Sequence, residues 1–198
     1  MKPVAILYAT REGQTKRIAE KVAAALRERG LDAAALDVRG VRSGFDTGKY
    51  SAVVLAASVH AGRHEREMIA LAKAHRAALQ SIPNAFLSVT LSEAGAERMD
   101  ATAAEHARFV ADVARMIDRF VADTGWRPEH VVPVAGALLY TQYNFLLRWG
   151  MQRIARQAGG STDASRDHEY TDWSALDRFV AAFAGEVKSR AAPPASPS

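Results

Sequence analysis

The sequence contains no cysteine among its 198 residues. This absence excludes disulfide bonds, thiolate-held iron–sulfur clusters, cysteine-ligated zinc and thiol catalysis. Any redox chemistry therefore requires a bound cofactor that needs no sulfur ligand.

Long hydrophobic runs are also missing. The first apolar segment, Val4–Ala9, is shorter than a signal-peptide core, and no small-residue cleavage site follows it. No stretch approaches the ~18–20 consecutive apolar residues of a membrane-spanning helix. We therefore expect a cytoplasmic protein, attached at most to the inner face of the cell membrane.

A strong excess of one charge is absent as well. The 26 Lys and Arg residues against 22 Asp and Glu residues give a net charge of +4. This surplus is too small to indicate nucleic-acid binding, so the location of the charge matters more than its sum. The length fits a single domain over residues 1–188. Residues 189–198, rich in proline and small residues, are predicted to be a disordered tail.

Apolar runs of strand length alternate with helical patterns along the chain. The strand-length runs are Val4–Ala9, Leu31–Val38, Ala52–Ala57, Ala85–Val89 and Val131–Ala135. Helical periodicity covers about Thr15–Arg29, Glu65–Leu79, Ala103–Asp123 and Ser174–Lys188. The alternation predicts a doubly wound α/β fold with helices on both faces of a five-stranded parallel sheet. The polar loop after the first strand favours the strand order 2-1-3-4-5.

The loop after the first strand has the composition of a phosphate site. Its residues are Thr10, Arg11, Glu12, Gly13, Gln14 and Thr15, and a predicted helix begins at their end. A helix N-terminus offers unpaired N–H groups and partial positive charge, and the threonines add hydroxyl donors. The P-loop and dinucleotide glycine patterns are both absent, so a single phosphate monoester fits better than a pyrophosphate. The alternative is that the two threonines merely cap the helix.

Several motifs together resemble one family. The segment Tyr8–Thr15 resembles the FMN-phosphate loop of the menaquinone-dependent protoporphyrinogen IX dehydrogenases, which are flavodoxin-like. The likeness continues through residues 57–64, 126–128, 135–138, 159–163 and 169–173, and it covers roughly residues 3–185. The order and spacing of these motifs carry the resemblance, because each motif alone is weak.

The resemblance implies that FMN binds this chain, with its ring between two loops. The first of these supplies Ser58, Val59, His60, Ala61 and Gly62, and the second supplies Thr90, Leu91, Ser92 and Glu93. Gly62 would let a backbone peptide reorient beside the flavin. No aromatic residue occurs in Thr90–Gly95, which would leave one face of the ring open to substrate. His60 is a candidate proton donor, whereas we expect His64 to face solvent.

Residues 139–172 do not fit five simple βα units and are predicted to be an insertion before the last helix. Within it, Gln142–Ala158 has the periodicity of an amphipathic helix whose charged residues are all arginine. The candidate substrate or membrane contacts are Tyr143, Phe145, Arg148, Trp149, Arg153 and Arg156. This composition is typical of a helix on a membrane surface, but packing on the same domain and a homodimer interface are alternatives. We hypothesise that the arginines pair with substrate propionates.

The family resemblance implies oxidation of protoporphyrinogen IX to protoporphyrin IX in haem biosynthesis. Three two-electron rounds would use FMN, with a membrane quinone such as menaquinone as the acceptor. One alternative is an electron-carrier flavodoxin or a general quinone reductase, although carrier flavodoxins tend to be strongly acidic. Another is a relative that has lost FMN and binds a partner protein. No residue pattern favours a metal site or hydrolysis.

Overall fold

The computed structural model describes residues 1–41, 44–97, 99, 101–138, 163 and 165–191. Its strands are β1 (Val4–Ala9), β2 (Ala33–Asp37), β3 (Ala52–His60), β4 (Arg63–His64), β5 (Asn84–Thr90), β6 (His130–Ala135), β7 (Ala137–Leu138) and β8 (His168–Glu169). Its helices are α1 (Gln14–Glu28), α2 (Val38–Val41), α3 (Arg66–Leu79), α4 (Leu91–Ala96), α5 (Ala103–Thr124) and α6 (Trp173–Ala191). No helix among these residues is both long enough and apolar enough to span a bilayer.

The main sheet has the order β2-β1-β3-β5-β6, and these five strands are parallel. The predicted order 2-1-3-4-5 is therefore confirmed, because the unpredicted two-residue strand β4 changes only the numbering. β4 pairs antiparallel with the end of β3. A further short ladder joins β7 to β8.

The first strand is apolar throughout because helices cover both faces of the sheet. Val4, Ile6 and Tyr8 pack in the cluster that contains residues of α1 and α6. Ala5 and Leu7 pack on the other face, in the cluster that contains residues of α3 and α5. Successive side chains of a strand point to opposite faces, so a strand buried on both faces needs an unbroken apolar run.

Helix occurs in two segments that were predicted to be a loop and a tail. The segment Thr90–Gly95 was expected to be a loop, but α4 begins at Leu91 and the Thr90 hydroxyl caps it by accepting a hydrogen bond from the Ser92 N–H at 3.1 Å. The closing helix continues to Ala191, so the first three residues of the predicted tail are helical. Residues 192–198 lie outside the described part of the chain.

The predicted insertion, residues 139–172, starts directly after β7 and includes β8, and these two strands form a short ladder. In this ladder Ala137 pairs with Glu169 and Leu138 pairs with His168. Leu138 and His168 are therefore neighbours in space, although residues 139–167 separate them in the sequence. The predicted amphipathic helix Gln142–Ala158 lies outside the described residues, as do all six of its candidate contact residues.

His64 is buried, contrary to the expectation that it faces solvent. β3 runs three residues past its predicted end and turns back through Ala61 and Gly62, whose φ angles of +49° and +71° suit a tight hairpin. The hairpin places the His64 ring against the rings of Phe86 and Phe120, at centroid distances of 5.0 and 5.1 Å. Its Nε2 atom lies 2.9 Å from the Ser88 Oγ atom. This burial could not be predicted from the local sequence, because the packing partners come from β5 and α5, which lie later in the chain.

Burial of the imidazole lowers the pKa of His64 from 6.5 to about 4. Between these pH values the unfolded chain binds a proton at His64 that the folded chain does not. We expect the free energy of unfolding to fall by ~3 kcal/mol as the pH drops from 6.5 to 4 on account of this residue.

The variant His64→Leu should lose that part of the pH dependence in urea titrations between pH 4 and 7.5. The difference between the two proteins at pH 7.5 gives the packing cost, since the imidazole is neutral there in both states. An unchanged dependence on pH in the variant would show that His64 does not cause it.

Candidate functional site

A cleft of about 360 Å³ lies at the carboxyl ends of β1, β3 and β5. In the described part of the chain it is lined by Thr10, Glu12, Gln14, Thr15, Ser58, Val59, His60, Ala61, Gly62, Val89, Thr90, Leu91, Ser92, Asp112, Met116, Gly136 and Ala137. Ligands bind open α/β sheets at this edge, and the volume is within the range of small-molecule sites.

The fold brings most of the predicted cofactor residues together around this cleft. Arg11, Gly13 and Glu93 are the predicted residues that do not line it. The residues predicted from the sequence did not include the contributions of α5, such as Asp112, or of Gly136 and Ala137 at the β6–β7 junction. None of the described lining residues is Phe, Tyr or Trp, so the imidazole of His60 is the one side-chain ring that these segments bring to the cleft.

The first loop (Thr10–Thr15) turns directly into α1. Gly13 precedes the helix with a φ angle of +94°, and no side chain caps the first turn. The Gly13 N–H is occupied by the Thr10 hydroxyl, which accepts it at 3.1 Å. The first N–H groups of a helix have no partner within the helix, and the helix dipole adds positive potential there. This end of α1 therefore suits an anionic group.

Thr15 provides an independent sign of a ligand at the same place. The residue is 1% exposed and lines the cleft, yet its Oγ1 atom has no hydrogen-bond partner among the described residues. A buried hydroxyl without a partner costs about 1–3 kcal/mol. An anionic oxygen bound at the N-terminus of α1 would supply that partner.

The Gln14 side chain is committed to the protein itself. Its Nε2 donates hydrogen bonds to Glu169 Oε1 and to Thr171 Oγ1, both at 2.9 Å. The Thr171 hydroxyl in turn donates to the carbonyl oxygen of Ala135 at 2.8 Å. Gln14 thus ties the first loop to the segment that follows β8. Glu169 and Thr171 belong to a motif of the family resemblance, but that motif gave no indication of their partners.

The hairpin from Ser58 to His64 forms a second wall of the cleft. His60 lies at its rim, with a side chain that is 32% exposed. The non-glycine residue Ala61 adopts a positive φ, a conformation that costs roughly 1–2 kcal/mol for an L-residue with a Cβ atom. The turn presents backbone rather than bulky side chains to the cleft.

Glu65 connects the first loop to the hairpin, and it was not among the site residues predicted from the sequence. Its carboxylate accepts hydrogen bonds from Arg11 Nε at 3.1 Å and from Ser58 Oγ at 3.2 Å. The same carboxylate lies 3.4 Å from His60 Nε2. The sequence indicates Glu65 only as the first residue of a predicted helix, because its partners Arg11 and Ser58 are distant or separated from it by the hairpin turn.

The third wall is the junction of β5 and α4. Thr90, Leu91 and Ser92 line the cleft there, and the Thr90 hydroxyl also contacts the Met116 sulfur at 3.8 Å. Glu93 lies away from the cleft, and partial burial raises its pKa above the ordinary value.

Two curated relatives match most of the chain. The protoporphyrinogen IX dehydrogenase (quinone) of Escherichia coli K12 is 32% identical over 175 residues, which are 88% of this chain and 91% of that protein. The protein of the same name from Leishmania major is 33% identical over 180 residues, which are 90% of this chain and 73% of that protein.

Solved structures share the fold at low sequence identity. Rubredoxin oxygen:oxidoreductase from Desulfovibrio gigas matches 97% of this chain and 38% of its own, with 13% identity and a TM-score of 0.53. A short-chain flavodoxin associated with a bacterial microcompartment matches 94% of this chain and 99% of its own, with 14% identity and a TM-score of 0.50.

The flavodoxin domain family matches residues 5–165. Together with the two curated relatives, this match covers the first loop, the hairpin and the β5–α4 junction. The chain therefore belongs to the flavodoxin domain family and, within it, to the family of quinone-dependent protoporphyrinogen IX dehydrogenases.

Proposed function

We propose that this protein is an FMN-dependent oxidoreductase that converts protoporphyrinogen IX to protoporphyrin IX in haem biosynthesis. The acceptor in this proposal is a membrane quinone such as menaquinone. The observation that carries the proposal is the Thr15 hydroxyl at the N-terminus of α1, which is buried without a hydrogen-bond partner among the described residues, in a chain of this family. It fits a cofactor anchored by one phosphate.

The residues at the first loop fit FMN better than a dinucleotide. A phosphate monoester would accept hydrogen bonds from the first-turn N–H groups of α1 and from the Thr15 hydroxyl. The side chain of Gln14 would hold the loop in place through Glu169 and Thr171 rather than touch the ligand. When bound, FMN supplies two-electron redox chemistry that no side chain of this cysteine-free chain provides.

The remaining walls would orient the flavin ring and leave room for substrate. The hairpin would present the backbone of Ala61 and Gly62 to one edge of the ring, and Leu91 would lie on the opposite wall. A cleft without Phe, Tyr or Trp on its described walls suits direct contact between the cofactor and a large, flat substrate. His60, at the rim, remains the candidate for proton transfer through its imidazole.

The arginines of the insertion are proposed to handle the anionic groups of the substrate or of the membrane. Arg148, Arg153 and Arg156 suit propionate carboxylates, which a guanidinium binds with two parallel hydrogen bonds. Tyr143, Phe145 and Trp149 suit the headgroup region of a bilayer. In this proposal the protein lies in the cytoplasm at the inner face of the membrane. The alternative use of the same segment is a homodimer interface.

The variant Thr15→Val should bind FMN roughly 10- to 100-fold more weakly, because a hydrogen bond to a charged oxygen is lost. Quenching of FMN fluorescence measures the affinity. Riboflavin, which lacks the phosphate, should bind both proteins equally, and Thr15→Ser should retain most of the affinity. An equal loss for riboflavin would place Thr15 away from the phosphate.

Anaerobic turnover tests the reaction itself. The FMN-loaded protein should produce fluorescent porphyrin from protoporphyrinogen IX when a menaquinone analogue is present, and none when the quinone is omitted. A loaded protein that forms no porphyrin with any quinone would favour an electron carrier. A protein that never takes up FMN would refute both redox functions.

Changing Arg148, Arg153 and Arg156 together to Gln should separate the two uses of the insertion. If the arginines bind propionates, the KM for the porphyrinogen rises. If they bind anionic lipid, partition onto phosphatidylglycerol vesicles falls on the order of 100-fold, since each arginine contributes ~1 kcal/mol. A matched control neutralises three exposed arginines elsewhere, namely Arg66, Arg119 and Arg178. No change in KM or in vesicle binding would eliminate both roles.

A further inference from the structure

Glu65 is a buried acid, and its place before α3 does not account for a glutamate at this position. It precedes α3 at the N-cap, yet its side chain makes no capping hydrogen bond. Glutamate is not among the residues preferred at this position, which are Ser, Thr, Asp and Asn. The carboxylate is only 4% exposed. Long-range contacts, rather than the helix, therefore account for this side chain.

Those contacts join Glu65 to the first loop and to the hairpin, which form two walls of the cleft. Oε2 accepts a hydrogen bond from Arg11 in the first loop, and Oε1 accepts one from Ser58 at the end of β3. Oε1 also faces His60 Nε2 at 3.4 Å. The negative charge of Glu65 therefore lies directly behind two residues that line the cleft.

Arg11 supplies the balancing charge from the outer side. Its guanidinium is 62% exposed and reaches Glu65 through Nε alone in the part of the chain that the structure describes. A buried carboxylate keeps its charge only with such compensation. The pair thus places an acid against the cleft wall and its partner cation in solvent, where water screens it more strongly.

We propose that the Glu65–Arg11 pair sets the relative affinity of the cleft for oxidised and reduced cofactor, with Glu65 as the positioning residue for Arg11 and His60. The inference rests on the proposed function, since it requires that FMN binds in this cleft. When two electrons and one proton reduce FMN, its ring gains one negative charge. The charges of Glu65 and Arg11 therefore change the affinity for reduced FMN more than the affinity for oxidised FMN.

The two members of the pair should act in opposite directions. Without the Glu65 charge, Arg11 is left as net positive potential, and reduced FMN binds more tightly relative to oxidised FMN. Without Arg11, the Glu65 charge is uncompensated, and reduced FMN binds more weakly. Other charges near this wall are Glu12 and Asp112 on the cleft and Arg63 in the hairpin, and all three stay unchanged in the variants described below.

The experiment measures dissociation constants of oxidised FMN and of dithionite-reduced FMN for the whole chain. Glu65→Gln should raise the ratio of the oxidised to the reduced constant roughly three- to tenfold, and Arg11→Gln should lower it by a similar factor. A tenfold change in this ratio equals ~30 mV in the two-electron potential. The double variant should return toward the wild-type ratio.

A matched control removes one negative charge and one ion pair far from the cleft. Asp177→Asn breaks the pair with Arg29, which lies 2.8 Å away at the opposite end of α1. This variant should leave the ratio unchanged. Urea unfolding of the FMN-free proteins separates loss of stability from the electrostatic effect.

Shifts of the same sign in the two single variants, or an unmoved ratio in both, would overturn the inference. If Glu65→Gln does not fold, the exposed Arg11 still decides the matter, because Arg11→Gln must lower the ratio. A wild-type protein that binds no FMN would refute the proposed function before any ratio is measured, and this inference with it. Normal FMN binding with an unmoved ratio would refute the inference alone.

Discussion

Two-sided burial of the central strands is the constraint on which the site depends. Residues of β1 and β3 alternate between two apolar clusters, so both strands are held at the middle of the sheet by helices on each face. Parallel neighbours then end at the same edge. The polar residues that follow these strands therefore lie at that edge. The first turn of α1 faces the cleft that these residues line.

Three side-chain connections fix the walls of that space. Glu65 joins the first loop to the hairpin, and Gln14 joins the same loop to the segment after β8. His64 holds the hairpin against the sheet by packing edge-on against two phenylalanine rings that stack on each other. Each connection spans elements that are distant in sequence. The walls are therefore shaped by tertiary contacts, although the residues that line them come from short local motifs.

The sequence was sufficient for the layout of the fold because the signals for it are local and repeated. Apolar runs and helical periodicity predict the alternating strands and helices, and the polar loop after the first strand favours the strand order that the sheet has. The sequence was insufficient where a side chain finds its partner far along the chain. In the sequence His64 resembles an ordinary loop residue and Glu65 the first residue of a helix. Their surroundings come from β3, β5, α5 and the first loop. The α4 helix was missed because six residues are too few to show a period.

The β7–β8 ladder has a consequence for how this protein family can diversify. Leu138 and His168 are paired neighbours in the ladder, although residues 139–167 separate them in the sequence. The free energy of closing a loop grows only with the logarithm of its length. The intervening segment can therefore be lengthened, shortened or exchanged with little strain on the sheet. The same sheet can in this way accept different sequences in one contiguous stretch without a change to its own strands.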